Sequence, residues 1–117
     1  MNKDTNQIMA HINVYRMSGL GNNFLIIDRR QDSLEISKNK IIDLANKKVV
    51  PFDQLITLEK KEKNIYPIKI FNPDGIEVDA CGNGSRCIAY LISQENKQST
   101  ISLRTNEIGR ASCRERV

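Results

Sequence analysis

Residues 79–90 read DACGNGSRCIAY, and the reading of this stretch decides how the rest of the chain is arranged. Cys81 is followed at once by Gly82-Asn83-Gly84, then by a Ser-Arg pair and an apolar run. Apolar residues recurring at three- and four-residue spacing predict a helix from about Gly82 to Ser93, with Cys87, Ile88, Leu91 and Ile92 on its core side. It is the most apolar helix in the chain, and so the element a sheet would wrap around. A helix N-terminus has unpaired N–H groups and a partial positive charge. Glycines there let a ligand approach the backbone, so Gly82-Asn83-Gly84 could form a nest of amides for a carboxylate. A thiol at the lip of such a site is stabilised as thiolate, its pKa lowered from about 8.5 towards neutrality. A thiolate beside a bound carboxylate can take the α-proton of an amino or hydroxy acid. The residues alone leave a second reading open, a structural turn beside a buried cysteine.

Upstream, Ile12 to Met17 alternates with Ile12 and Val14 on one face, as a strand does, and SGLGNN follows as a turn. FLIID is a continuous apolar run of strand length, expected to be central and covered on both faces. Ser37 is a candidate N-cap for a helix whose apolar positions are Ile41, Ile42, Leu44 and Ala45, and Pro51 closes that region by moving Val50 out of the α region. DQLITLEK and IYPIKIF read as strands joined by a charged connection, with Tyr66, Ile68 and Ile70 on one face and Pro67 suggesting an edge. Asn72-Pro73-Asp74-Gly75 suits a type I turn, IEVD returns as a hairpin arm, and TISLRT is one more strand. The order β-β-α-β-β-β-α-β predicts an α+β fold with a mixed, largely antiparallel sheet.

At 117 residues the chain holds one domain's worth of sequence, with an aliphatic core and no Trp. Its longest apolar runs are far too short to span a membrane, and residues 1–11 form a polar leader without a secretory h-region. The expected location is the cytoplasm. The stretch Ile108–Val117, IGRASCRERV, continues neither strand nor helix patterning and resembles translated sequencing-adapter DNA, so residues 108–117 are expected to be a non-native tail and residues 12–107 the domain. Setting it aside removes three arginines and one glutamate, which halves the formal net charge of +4 and leaves too little to argue for nucleic acid. It also removes Cys113. Cys81 and Cys87 then remain, six positions apart and about 240° apart on a helix, matching neither a disulfide framework nor a zinc pattern.

Other polar positions carry weaker signals. Cys87 falls on the apolar side of its helix, where small core filler outweighs catalysis. Gly19 to Phe24 lacks the third glycine of a dinucleotide fingerprint, and no Gly-Lys-Ser/Thr of a P-loop occurs. Gln54 and Asn72 stand at strand edges, where a terminator and a ligand-facing amide are both open. The lone His11 sits at the edge of the leader and takes no role, which argues against a Ser-His or Cys-His pair.

Taken together, MSGLGNNF, PFDQL, FNPDG followed by Glu77-Val78, and CGNGSRC occur in the order and spacing of diaminopimelate epimerases, which residues 12–107 resemble. The resemblance implies a two-domain, cofactor-independent enzyme without a metal. Homologous halves each wrap a sheet around a central helix, and this chain is the N-terminal one. It implies interconversion of LL- and meso-diaminopimelate in lysine and peptidoglycan biosynthesis, one cysteine removing the α-proton and another protonating the opposite face. The catalytic position falls on Cys81, the carboxylate-holding amides on Gly82 and Asn83, and the substrate-contacting amides on Asn22, Gln54 and Asn72. The implied partner is a small-molecule substrate, with no nucleic acid or membrane partner and room for a homodimer at full length. Three positions depart from the pattern: Asn23 where the family usually has Asp, Ser18 where it often has His, and KKVVPFDQL without the usual glycines ahead of Gln54. A second half with its own cysteine is missing, as in a truncated gene. Two rivals are carried. One is a proline-racemase-like enzyme, against which Asn83 counts because that group usually has His there. The other is a free-standing amino-acid- or anion-binding module without turnover.

Overall fold

Four consecutive apolar side chains, Phe24 to Ile27, set the layering, because each of the two faces they present is buried against a different cluster. A computed structural model of the chain describes residues 13–19, 21–31, 35–47, 51–79 and 82–105, and the backbone of 112–116. Strands β1 (Asn13–Gly19) and β2 (Asn22–Asp28) form an antiparallel hairpin. Helix α1 (Lys38–Lys47) then carries the chain across to β3 (Gln54–Leu58), which runs parallel to β2. Parallel neighbours need such a crossover. Strand β4 (Tyr66–Phe71) returns antiparallel to β3, and the short β5 (Glu77–Val78) pairs with β4. Helix α2 (Asn83–Asn96) makes the second crossover, to β6 (Thr100–Arg104) parallel to the start of β4. The seven-stranded sheet has the order β1-β2-β3-β4-β6-β7, with β5 off that path. The expected α+β fold and element order are observed.

Helix α2 lies on one face of this sheet and α1 on the other. Phe24, Ile26, Ile56, Leu58, Tyr66, Ile68 and Ile70 pack with Cys87, Ile88, Ala89 and Ile92 of α2. Leu25, Ile27 and Leu55 pack with Ile41 of α1. The FLIID run is therefore covered on both faces. Helix α2 touches β1 and β2 near one edge and β6 and β7 near the other, so the sheet curls around it as expected.

Two glycines permit the close approaches in this arrangement. A Cβ on Gly84 would stand 2.7 Å from Ile56 Cδ1 and 3.3 Å from Phe24 Cε1, so the first turn of α2 rests directly on the sheet. Gly75, at φ +82°, closes the Asn72–Gly75 turn, and a Cβ there would meet Lys38 at the start of α1. That turn is the one expected: Gly75 N donates to Asn72 O at 2.9 Å. Ser37 caps α1 as expected, its Oγ accepting from Lys40 N at 3.1 Å. The far end of α2 is tied to β2 through Arg30, which donates to Asp28 Oδ2 and to Glu95 Oε1, each at 2.7 Å. These bonds, to Asp28 first and Glu95 second, push the guanidinium pKa further up and keep it charged.

The structure corrects four expectations. Pro67 does not mark an edge, because β4 lies between β3 and β6. It is tolerated because β4 and β6 share only the pairs Tyr66↔Leu103 and Pro67↔Arg104, while its carbonyl still accepts from Glu59 N at 2.9 Å. In β1, Tyr15 and Met17 face the core and Val14 is 37% exposed. The SGLGNN turn is tighter than expected, since Ser18 and Gly19 belong to β1 and Asn22 and Asn23 to β2. In the stretch expected to lack strand patterning, residues 112–116 form β7 (Ser112–Arg116), antiparallel to β6. Main-chain pairing with an open strand edge asks little of side-chain pattern. The leader, Ile12, Val50 and Cys81 lie outside the described residues.

Replacing Gly84 by valine is expected to lower stability by about 1–3 kcal/mol through overpacking, read as a lower urea midpoint. An unchanged midpoint would contradict the close approach of α2 to Phe24 and Ile56.

Candidate active site

Side chains two residues apart in a strand share a face. Phe24 and Ile26 of β2 and Ile56 and Leu58 of β3 face α2, which places Asn22 and Gln54 on that same face at the mouths of the two strands. In β4, Ile68 and Ile70 face α2, and Asn72 follows two residues on. The register aligns these positions at one end of the sheet: Gln54 lies beside Phe24, and Leu55 pairs with Phe71 just before Asn72. Gln54 Nε2 donates to Asn72 Oδ1 at 3.4 Å, a long bond that a stronger acceptor can displace. Gln54 and Asn72 are half-buried and Asn22 is exposed.

The N-terminus of α2 opens above this same end, since Gly84 rests on Phe24 and Ile56. Gly82 is the N-cap. Its backbone is extended, its carbonyl accepts from Arg86 N at 3.1 Å, and no atom lies within 4 Å of where its Cβ would be. It has no side chain to cap the helix, and the first turn, which carries the helix's partial positive charge, holds no acidic residue. Gly82 is exposed and Asn83 half-buried. Of Gly82-Asn83-Gly84, where an amide nest was expected, Gly84 also packs against the sheet. Cys81, one residue before the cap, lies outside the described residues.

Cys87 is a free, buried thiol within the α2 cluster. Its Sγ lies 3.3 Å from where a Cβ on Gly19 would stand, and desolvation pushes its pKa above the ordinary thiol range. These are the properties of core filler.

The opposite face of the same strand mouths holds a separate cluster. Ser18 Oγ donates to Asn23 Oδ1 at 3.1 Å, and a reciprocal pair of bonds joins Asn23 N to Asp53 Oδ2 at 2.7 Å and Asp53 N to Asn23 O at 2.8 Å. A cavity of about 240 Å³ there is lined by Arg16, Met17, Ser18, Asn23, Phe24 and Pro51 and by none of the expected site residues. Asn22, Gln54 and Asn72, with Gly82 above them, make a polar shelf on the α2 face. Asp53 was not anticipated from pattern. The signal was its place directly before Gln54, where a carboxylate can reach a neighbouring strand's N–H. Ser85, wholly buried in the first turn of α2 with no hydrogen-bond partner for its Oγ, was not anticipated either.

A family model described as diaminopimelate epimerase matches residues 14–109. The chain belongs to the diaminopimelate epimerase family. It is 39% identical to a diaminopimelate epimerase of Pelagibacter ubique over 94 residues, covering 80% of this chain and 34% of that protein. Over 80 residues it is 41% identical to the one from Sphingopyxis alaskensis, covering 68% of this chain and 30% of the relative. The chain thus spans about a third of the length of the curated relatives it matches. Among solved structures, a phenazine biosynthesis protein of the PhzF family from Enterococcus faecalis superposes with a TM-score of 0.65 at 13% identity, covering 91% of this chain and 40% of that one. A predicted epimerase from Pseudomonas aeruginosa gives 0.56 at 15% identity, over 82% and 34%. These two likenesses concern the fold.

Two of the three departures from the diaminopimelate epimerase pattern, Ser18 and Asn23, fall in the cluster on the α1 side, away from the shelf. Among the described residues no group of His, Cys, Asp or Glu is placed to hold a metal, and no helix is long and apolar enough to cross a membrane.

Because burial raises the Cys87 pKa, the folded protein holds that proton more tightly than the unfolded chain. Its contribution to stability is therefore full below the ordinary thiol pKa and is lost as pH rises through the raised one. Urea unfolding at pH 7 and pH 10 should show the wild type losing more stability than Cys87→Ala. Equal losses would contradict a desolvated Cys87.

Proposed function

We propose that this chain carries one half of the acid/base site of a diaminopimelate epimerase. The observation that supports it is the convergence of Asn22, Gln54 and Asn72 on the face of the sheet over which the uncapped N-terminus of α2 opens. In this reading a substrate carboxylate lies against the main-chain amides of Gly82 and Asn83, where the helix's partial charge favours it. The three carboxamides, each able to donate and accept, hold the polar groups of the amino acid. Cys81, next to the cap, is the catalytic group: as thiolate it takes the α-proton, and as thiol it returns one. Charge developing beside the carboxylate is stabilised by donors already fixed in place. No cofactor enters this scheme. The opposite face of the α-carbon requires a second acid/base, which Cys87 cannot be, as it is buried under β1. That group is assigned to sequence beyond this chain.

All of these residues fall within 12–107, the unit taken as the N-terminal epimerase domain. The same reading places the enzyme in the cytoplasm, in lysine and peptidoglycan biosynthesis, with diaminopimelate as partner and a homodimer as its full-length assembly. Support comes from relatives named diaminopimelate epimerase.

Two measurements on the 117-residue chain test this. Incubated with meso-diaminopimelate, it should form no LL-diaminopimelate, because inversion needs an acid on the opposite face, and sustained epimerisation would overturn the half-site. With iodoacetamide near neutral pH, Cys81 should be alkylated at least tenfold faster than Cys87, and added diaminopimelate should slow it. Equal rates for the two thiols would remove the case for activation at α2.

A further inference from the structure

The carboxamide of Gln54 begins a strand, and the chain just before it has little to hold it in place. Residues 51–53 have no regular structure, and only with Gln54 does pairing to β2 start. A glutamine has three side-chain rotations, and a strand's first residue is free to fray, so a mouth held only at Leu55 would leave the carboxamide spread over many positions. Two short hydrogen bonds prevent this. Asn23 N donates to Asp53 Oδ2 at 2.7 Å and Asp53 N donates to Asn23 O at 2.8 Å, a clasp that extends the β2–β3 ladder one residue beyond Phe24↔Gln54. The first of these has an ionised acceptor and is among the stronger kinds of hydrogen bond. Asn23 contributes its main chain to both bonds, and its side chain is left to accept from Ser18 Oγ at 3.1 Å.

We propose that Asp53 is a positioning residue for Gln54, fixing the strand mouth from the α1 side so that the Gln54 carboxamide stands beside Asn72 on the α2 side. This rests on the reading of Gln54 as a substrate contact. Asp53 lies, by strand parity with Leu55, on the face opposite the shelf. It acts through the peptide it shares with Gln54, and its carboxylate supplies an acceptor that no main-chain group at that position could offer to Asn23 N.

The test uses ¹⁵N-labelled 117-residue chain, its Asp53→Ala and Asp53→Glu variants, and nuclear magnetic resonance without ligand. In the wild type the Gln54 side-chain NH₂ signals should be displaced from those of exposed glutamine and show contacts to Asn72. In Asp53→Ala they should move to the exposed position, with Asn23 amide exchange at least tenfold faster and the methyl signals of Ile56 and Ile70 unchanged. Asp53→Glu should restore part of the displacement. Faster Asn23 exchange with the Gln54 signals unmoved would overturn the proposal and leave Asp53 a merely structural tie. If Asp53→Ala does not fold, Asp53→Asn, which keeps an acceptor oxygen and loses the charge, is read by the same signals. There, a reduced Gln54 displacement supports the proposal and an unmoved one overturns it. A separate addition of diaminopimelate distinguishes the two claims. Absence of any response in the wild type counts against the functional reading, while the ligand-free signals still decide the role of Asp53.

Discussion

The contact on which the rest of the structure depends is that of the first turn of α2 with the sheet, at Gly84 against Phe24 and Ile56. From this point α2 extends Ile88, Ala89 and Ile92 into a face built from β2, β3 and β4. Each isoleucine so buried is worth about 1.5–3 kcal/mol relative to exposure. Arg30, bonded to both Asp28 and Glu95, ties the other end of the helix to the end of β2. The helix is therefore fixed at both ends relative to β2. Its N-terminal amides stand over one end of the sheet by packing.

Everything at the shelf follows from that placement together with strand parity. The apolar residues that meet α2 put Asn22, Gln54 and Asn72 on the same face, one step beyond the core at the strand mouths. The same parity sends Ser18 and Asn23 to the other face, joined to Asp53. One sheet end thus carries two polar clusters on opposite faces. On the α2 side Gln54 and Asn72 are joined by one long bond, and on the α1 side short bonds tie Asn23 to Asp53. Two of the positions where this chain departs from its family's pattern, Ser18 and Asn23, belong to the second.

Much of this was legible in the residues. The continuous FLIID run could be buried on both faces only if helices covered both, and the structure has α1 and α2 there. Asn72-Pro73-Asp74-Gly75 and Ser37 announce a turn and a cap through local chemistry that needs no tertiary partner, and both formed as read. What failed depended on neighbours distant in sequence. Pro67 signalled an edge, yet β6 pairs with β4 over too short a span for the missing N–H to matter. The face of β1 that turns inward is set by Met17 lying opposite Phe24, which Val14 could not reveal. The packing of Gly84 on Phe24 and Ile56 was not visible either, because a glycine required for close packing and one required for ligand access look alike in sequence. The family resemblance named Asn22, Gln54 and Asn72 together, whereas pattern alone left each as an ordinary strand terminator. Only the register joins them at one end of the sheet.

The account stands or falls on where an amino-acid substrate meets this surface. The most direct measurement is a titration of the ¹⁵N-labelled chain with meso-diaminopimelate, followed through main-chain and side-chain amide signals. The account predicts shifts concentrated at the carboxamides of Asn22, Gln54 and Asn72 and the main-chain amides of Gly82 and Asn83. Shifts centred on Arg16, Ser18 and Asn23, with the start of α2 unmoved, would contradict it.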